Sequence, residues 1–185
     1  LVWIDVSTLK TLPERELRSG MAEVIKYAIV TDSGLFHILE EKIGSVPQAS
    51  SDTLIEIISR CCSAKARIVE QDEKDRSVRS ILNYGHTFGH ALATLSNYGQ
   101  FTHGEAVALG MIVAARVSCE IGATNQATVE KQERLISAAG LPTRIDRSVD
   151  PQDIVRQLTR DKKRLAGRTR WILLKTIGEV FLTDE

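Results

Sequence analysis

The chain has 185 residues, with 24 Lys+Arg balanced by 24 Asp+Glu, which is enough for one compact domain and leaves no broad electrostatic footprint for nucleic acid or an anionic membrane. A hydrophobic share of 43% excludes a disordered chain, and the longest nearly uncharged apolar run, Ala106 to Ala115, is about half of a bilayer span. Cys61, Cys62 and Cys119 are odd in number and lack CxxC spacing, which excludes a disulfide framework or a thiolate metal site and fits a reducing cytoplasm.

The opening run Leu1-Val2-Trp3-Ile4-Asp5-Val6 is apolar and β-prone, without Met or a charged segment, so it is no signal peptide. It predicts a strand over 1–6 with no nearby partner, and hence a chain that is part of a longer protein. Nearly everything after it reads as helix. Pro13-Glu14-Arg15-Glu16 is a helix start, and Leu17, Met21, Val24, Ile25, Ala28 and Ile29 recur at helical spacing to about Thr31. A second helix is expected over Ser33 to Ile43, stopped by Gly44 as a left-handed residue. A third runs from about Asp52 to Asp75, with an apolar face through Leu54, Ile57, Cys61, Ala64 and Ile68. Asp75, Arg76 and Arg79 fit a solvated turn before Ile81. Further helices follow Asn83-Tyr84-Gly85, run from His103 to Glu120, and span Asn125 to Ala139 with Gly140 and Pro142 closing the last. The His103–Glu120 segment is apolar on most sides and should be buried. Asp150-Pro151 starts a helix to about Lys163. The period then changes to 2: Arg170 to Lys175, a turn at Gly178-Glu179, and Val180 to Leu182 predict a terminal hairpin. The fold class expected is mainly α, one helical domain over 1–185, with a strand at the N-terminus and a short hairpin at the C-terminus.

Histidine is scarce, and three of the four (His86, His90, His103) lie within residues 86–103. His86 and His90, at i and i+4, share one helix face, and His103 starts a separate Gly-containing helix. Glu23 sits among Met21, Val24 and Ile25, where a carboxylate needs a cation or a metal. Lys26, one turn on, makes an ordinary intrahelical ion pair the plainer reading of Glu23 alone. With the histidines, Glu23 completes a His-His-Glu set suited to a Zn²⁺-type site with an open position. Spacing allows either His86 with His90, or His86 with His103, as the ligand pair. Lys65, Arg79, Asn83 and the run Lys162-Lys163-Arg164 form a basic set suited to a small substrate carrying phosphate or carboxylate. Lys74, Arg76 and Lys131 read as solvated surface charges.

Three runs carry a family resemblance: Leu17-Arg18-Ser19-Gly20-Met21-Ala22-Glu23-Val24-Ile25-Lys26, Leu82-Asn83-Tyr84-Gly85-His86-Thr87-Phe88-Gly89-His90-Ala91, and His103-Gly104-Glu105-Ala106-Val107-Ala108-Leu109-Gly110-Met111. In order and spacing they resemble the 3-dehydroquinate synthase family, as do the opening Leu-Val-Trp-Ile-Asp, Asp161-Lys162-Lys163 and Ile177-Gly178. The resemblance implies the helical C-terminal metal- and substrate-binding domain of the dehydroquinate synthase-like fold. Residues 1–6 would then be a strand belonging with an N-terminal NAD-binding α/β domain that this sequence lacks. It implies Glu23, His86 and His103 as ligands of Zn²⁺ or Co²⁺, and His90, Lys26 and Asn83 as catalytic. Lys65 and Arg79, with one Lys of the Lys162-Lys163 pair on phosphate, would bind substrate; no NAD-contacting residue is assigned. Ala93 departs from the family, which commonly has Glu there.

The activity implied is conversion of 3-deoxy-D-arabino-heptulosonate 7-phosphate to 3-dehydroquinate and phosphate, a shikimate-pathway lyase step that uses NAD. A homodimer is implied with it. Two alternatives stand beside it: a related sugar phosphate cyclase, against which Arg79 favours a carboxylated substrate, and a non-catalytic metal-binding fragment. Iron-type alcohol dehydrogenases are disfavoured by Lys65, Arg79 and Lys162/Lys163, because their substrates need no phosphate cluster. The 185 residues alone are expected to fold and not to turn over.

Overall fold

The computed structural model describes residues 3–74, 78–96, 100–145, 149–164 and 170–183, the side chains of 45, 47, 48 and 161–164 excepted. Seven helices are described in chain order: α1 (Glu14–Thr31), α2 (Ser33–Lys42), α3 (Ser51–Gln71), α4 (His86–Leu95), α5 (His103–Glu120), α6 (Gln126–Ala138) and α7 (Pro151–Arg164). A hairpin follows, β1 (Trp171–Thr176) antiparallel to β2 (Glu179–Thr183). The mainly helical class and the terminal hairpin are as expected. No described helix is long and apolar enough to cross a membrane.

Local chemistry accounts for most boundaries. Glu14 and Glu16 place acids in the first turn of α1, where they oppose the positive end of the helix dipole. Asp32 and Asn125 cap α2 and α6 by accepting from the Leu35 and Thr128 amides, each at 2.9 Å. Thr102 and Glu105 form a reciprocal capping box on α5. Gly140, at φ 71°, ends α6.

Two expectations fail. Trp3, Ile4 and Asp5 are not in a strand, and Val6–Thr11 is a 3-10 turn whose start is capped by Asp5 accepting from Ser7. A strand needs a hydrogen-bonding edge, the only described sheet is the terminal hairpin, and Trp3 is 87% exposed; Leu1 and Val2 lie outside the described residues. Gly44 is not the left-handed stop of α2: the chain continues through a 3-10 turn over Ile43–Gln48. That turn carries Ile43 and Val46 into the core, at 6% and 3% exposure. The third helix stops at Gln71, and Asp75 and Arg76 of the expected turn lie outside the described residues.

α5 is the centre of the packing. On one side it meets α1, α6 and the hairpin; on the other, Leu109 joins Phe88, Ala91 and Leu92 of α4 and Ile154 of α7. Such a helix must approach its neighbours by bare backbone. A Cβ on Gly110 would stand 1.8 Å from the Gly85 carbonyl oxygen, and one on Gly104 would stand 2.0 Å from that of Ser19. Gly85 itself has φ 80°, the left-handed region open to glycine. The hairpin is tied in within β1 and at its turn. The Leu174 amide donates to Ser118 Oγ of α5 at 2.8 Å, and the Gly178 amide donates to the Ile29 carbonyl of α1 at 2.8 Å.

Gly110→Ala is therefore expected to destabilise the fold by the upper end of the usual overpacking range, about 3 kcal/mol, read by urea denaturation. A second test concerns Asp32, which accepts two bonds from Arg60 of α3, at 3.0 and 2.7 Å. The Arg60 guanidinium holds the Asp32 carboxyl below its usual value. A lowered folded-state pKa adds stability above the unfolded pKa, and that stability is lost as pH falls through the folded pKa. Asp32→Asn should thus be less stable by up to about 1 kcal/mol at pH 7, with the gap closing as pH falls below about 4.

Candidate metal centre

Three elements bring their donors to one point. Glu23 comes from the middle of α1, His86 is the first residue of α4, and His103 is the first residue of α5. One ligand atom from each lies within 4.8 Å of the others. His103 Nε2 is 3.1 Å from Glu23 Oε1, and His86 Nε2 is 3.5 Å from the same oxygen. The fit of α1 to α5 holds this register. Glu105 accepts from Arg15 Nε and Nη2 at 2.9 and 2.7 Å, and the Gly104 amide donates to Ser19 Oγ at 3.0 Å.

The protonation states follow from the partners. His86 Nδ1 lies 3.2 Å from the Tyr84 carbonyl oxygen. A carbonyl only accepts, so Nδ1 is assigned the hydrogen and Nε2 carries the lone pair of a neutral ring. Burial, then the nearby Lys26 charge, pushes the His86 pKa down to about 4. Burial pushes the Glu23 carboxyl upward, but Lys26, with His86 and His103, outweighs it and leaves the pKa below the usual value. Glu23 Oε2 accepts from Lys26 Nζ at 2.6 Å. Lys26 is only 4% exposed and sits 5.3 Å from the Tyr27 ring centroid. At neutral pH an ionised oxygen and an imidazole lone pair therefore face each other. A cation between them satisfies both, and a carboxylate with two imidazoles is a donor set that Zn²⁺ and Co²⁺ accept.

The remaining expected residues divide. His90 stands one turn beyond His86, exposed, its ring edge-on to His86 with centroids 5.5 Å apart. His103 faces His86 at 5.3 Å. The structure thus gathers Glu23, Lys26, His86, His90 and His103. Asn83 is exposed at the end of the 3-10 turn that precedes Tyr84. Lys65 is exposed on α3, one turn beyond Cys61, whose thiol burial raises to about 12. Neither Lys65 nor Asn83 contacts the Glu23 group among the described contacts. The Arg79 amide donates to Asp72 Oδ2 and its guanidinium to the Glu73 carbonyl, both at 3.1 Å, so it is turned to its own loop. Lys162 and Lys163 end α7, and their side chains lie outside the described residues.

Several supports of the site escape a reading by motif. Tyr84 is fully buried; its hydroxyl donates to Gln132 Oε1 at 2.8 Å, and Gln132 Nε2 donates to the Met111 carbonyl at 2.8 Å. This chain of bonds anchors the residue whose carbonyl orients His86. The available signal was Gln132 itself, a polar residue on the same helical face as Val129, Leu135 and Ile136. Arg15 and Ser19 carried no signal beyond standing eight and four residues before Glu23 on one helical stripe.

Residues 20–164 match the family described as 3-dehydroquinate synthase C-terminal. The chain belongs to that family. Curated relatives agree: the 3-dehydroquinate synthase of Desulforamulus reducens is 47% identical over 180 residues, covering 97% of this chain and 50% of that protein. That of a Synechococcus species is 47% identical over 190 residues, covering 100% and 51%. The chain thus spans about half the length of the curated relatives it matches. Among solved structures, a 2-deoxy-scyllo-inosose synthase complexed with carbaglucose-6-phosphate, NAD⁺ and Co²⁺ aligns with TM-score 0.80 at 29% identity, over 95% of this chain and 49% of that one. The 2-epi-5-epi-valiolone synthase of Streptomyces hygroscopicus, with NAD⁺ and Zn²⁺ bound, aligns with TM-score 0.88 at 23% identity, over 98% and 51%. At that identity the likeness is one of fold. The helical arrangement is thus common to the 3-dehydroquinate synthase C-terminal family and to these two synthases.

Tyr84→Phe leaves Gln132 Oε1 buried without its donor, so a loss of about 1–3 kcal/mol is expected in urea unfolding. Adding Gln132→Leu should recover part of that loss, because the orphaned oxygen is then gone.

Proposed function

We propose that this chain is the metal- and substrate-binding half of a 3-dehydroquinate synthase, one helical domain whose parent enzyme converts 3-deoxy-D-arabino-heptulosonate 7-phosphate to 3-dehydroquinate and phosphate in the shikimate pathway. The observation that carries the reading is the convergence of Glu23, His86 and His103 on one point, in a chain whose family and relatives bear that name. In this reading the trio holds Zn²⁺ or Co²⁺. NAD⁺ belongs to the longer enzyme, held with an N-terminal domain, and no residue of this chain is assigned to it. When bound, the metal polarises a substrate hydroxyl as a Lewis acid.

The chain's own residues do the remaining work. Lys26, buried against Glu23, keeps that carboxylate ionised and in place. His86 keeps its Nε2 lone pair turned inward through its bond to Tyr84. His90, exposed beside His86, carries a proton to or from the substrate. Asn83, three residues before His86 in the chain, is assigned an exposed amide that contacts the substrate. Lys65 and Arg79, with Lys162 or Lys163, bind the carboxylate and phosphate, and Arg79 must leave its loop carbonyl to do so. Relatives at 47% identity favour the synthase over a cyclitol-forming cyclase, although the cyclase fold is shared. A homodimer and a cytoplasmic setting come with the family likeness; the three free cysteines suit a reducing compartment.

Elemental analysis tests the assignment. The expected result is about one Zn or Co per chain, lost in His86→Ala. Metal retained by His86→Ala would overturn the ligand set. The chain supplied with the heptulosonate phosphate and NAD⁺ should not turn over. Turnover should return when the N-terminal half of a relative is added.

A further inference from the structure

Arg15, Ser19 and Glu23 stand at i, i+4 and i+8, one stripe along α1. They meet three consecutive residues of the first turn of α5 in reverse order. Arg15 holds Glu105 by a two-bond fork at 2.9 and 2.7 Å, Ser19 Oγ accepts the Gly104 amide at 3.0 Å, and Glu23 Oε1 lies 3.1 Å from His103 Nε2. The middle contact is a pivot. A Cβ on Gly104 would lie 2.0 Å from the Ser19 carbonyl oxygen, so the two backbones touch there and cannot close further. The outer contacts are the two arms of a lever about that pivot. On the far arm Glu105 is also bonded by the Thr102 amide at 2.8 Å, and Arg15 also donates to the Gln100 carbonyl at 2.9 Å. On the near arm is His103, whose side chain is 58% exposed and has Glu23 as its fixed partner.

We propose that Arg15 is a positioning residue of the metal centre: by gripping Glu105 it stops the first turn of α5 from rocking on the Gly104–Ser19 pivot and so keeps His103 turned to Glu23. This rests on the reading of Glu23, His86 and His103 as metal ligands. Arg15 lies about 12 Å from Glu23 along α1 and touches none of the three. Its side chain is 56% exposed, and an ion pair so open to water adds little to stability. What the planar fork supplies is orientation, because both N–H bonds must be satisfied at once. Outer groups that orient metal ligands typically alter metal affinity by about 10–100-fold.

The test is Zn²⁺ affinity of the metal-free chain, by competition with a chromophoric chelator, together with the visible absorption of the Co²⁺ form. The variants are Arg15→Ala, Arg15→Lys, His103→Ala and Arg116→Ala. Arg116 is the control: it makes another exposed interhelical Arg–Glu pair, by one bond from Nε to Glu133 Oε1 at 2.7 Å, toward the opposite end of α5. Arg15→Ala is expected to weaken Zn²⁺ binding roughly 10-fold and to shift the Co²⁺ bands. Arg15→Lys, which keeps the charge and loses the fork, should fall between Arg15→Ala and the unaltered chain. Arg116→Ala should bind as the unaltered chain does. The lever is overturned if Arg15→Ala binds as tightly as the unaltered chain, or if Arg116→Ala weakens binding equally, which would be general loosening. Should Arg15→Ala fail to fold, Arg15→Lys against Arg116→Ala decides the same question. Equal binding by His103→Ala and the unaltered chain would overturn the ligand assignment itself, and the lever with it.

Discussion

The contact on which the rest of the structure depends is backbone against backbone, where α5 crosses α4 and α1. The Gly85 oxygen occupies the space a Gly110 side chain would fill, and the Ser19 oxygen does the same at Gly104. Contacts of this kind are stiff, because no rotamer change relieves them. Each donor histidine is the chain neighbour of such a contact, His86 beside Gly85 and His103 beside Gly104. Glu23 is one helical turn from Ser19. The directions from which the three donors enter are therefore fixed by main-chain geometry, and side-chain torsions adjust only the last step.

Charge is arranged around that frame with a clear asymmetry. Lys26 is buried and its ammonium is shared between the Glu23 carboxylate and the Tyr27 ring. Burying such a pair is an inefficient way to stabilise a fold, since desolvation offsets much of the attraction. Its effect is local: one oxygen of Glu23 is neutralised and immobilised, and the other is left facing two imidazoles. Asp32, by contrast, both caps α2 and, with Arg60, joins the start of that helix to α3, away from the donor trio.

Much of the architecture is readable from periodicity and caps. Asn125 with Gly140 bounds α6, Pro13 with Glu14 and Glu16 starts α1, and the change to period 2 after Arg170 marks the hairpin. Glu23 and the three histidines also stand out in the sequence, because a carboxylate amid apolar residues and clustered imidazoles are each unusual. The choice between His90 and His103 is another matter. Both satisfy simple spacing rules, and only the crossing of α4 and α5 turns His103 toward Glu23 while leaving His90 outside. Gly44 misled because left-handed stops are common at glycine, whereas here Ile43 and Val46, buried on either side of it, demand another turn. The strand expected at the N-terminus was read from composition, yet β-prone residues form a strand only when an edge is present to pair with. Gln132 and Arg15 act through partners far away in sequence, and no local pattern reveals such pairings.

The separation of those partners has a kinetic meaning. Glu23 and His103 are 80 residues apart, so their meeting closes a large loop, while each helix can form from contacts a few residues apart. Loop closure is opposed by chain entropy, and it is rewarded only when the glycine crossings lock. Helix content and the geometry of the donor trio are thus separate events during folding. A collapsed state with native helicity but loose crossings would have every donor in place along the sequence and none in place in space. The glycines at these crossings are therefore as much a part of the site as the residues that carry its chemistry.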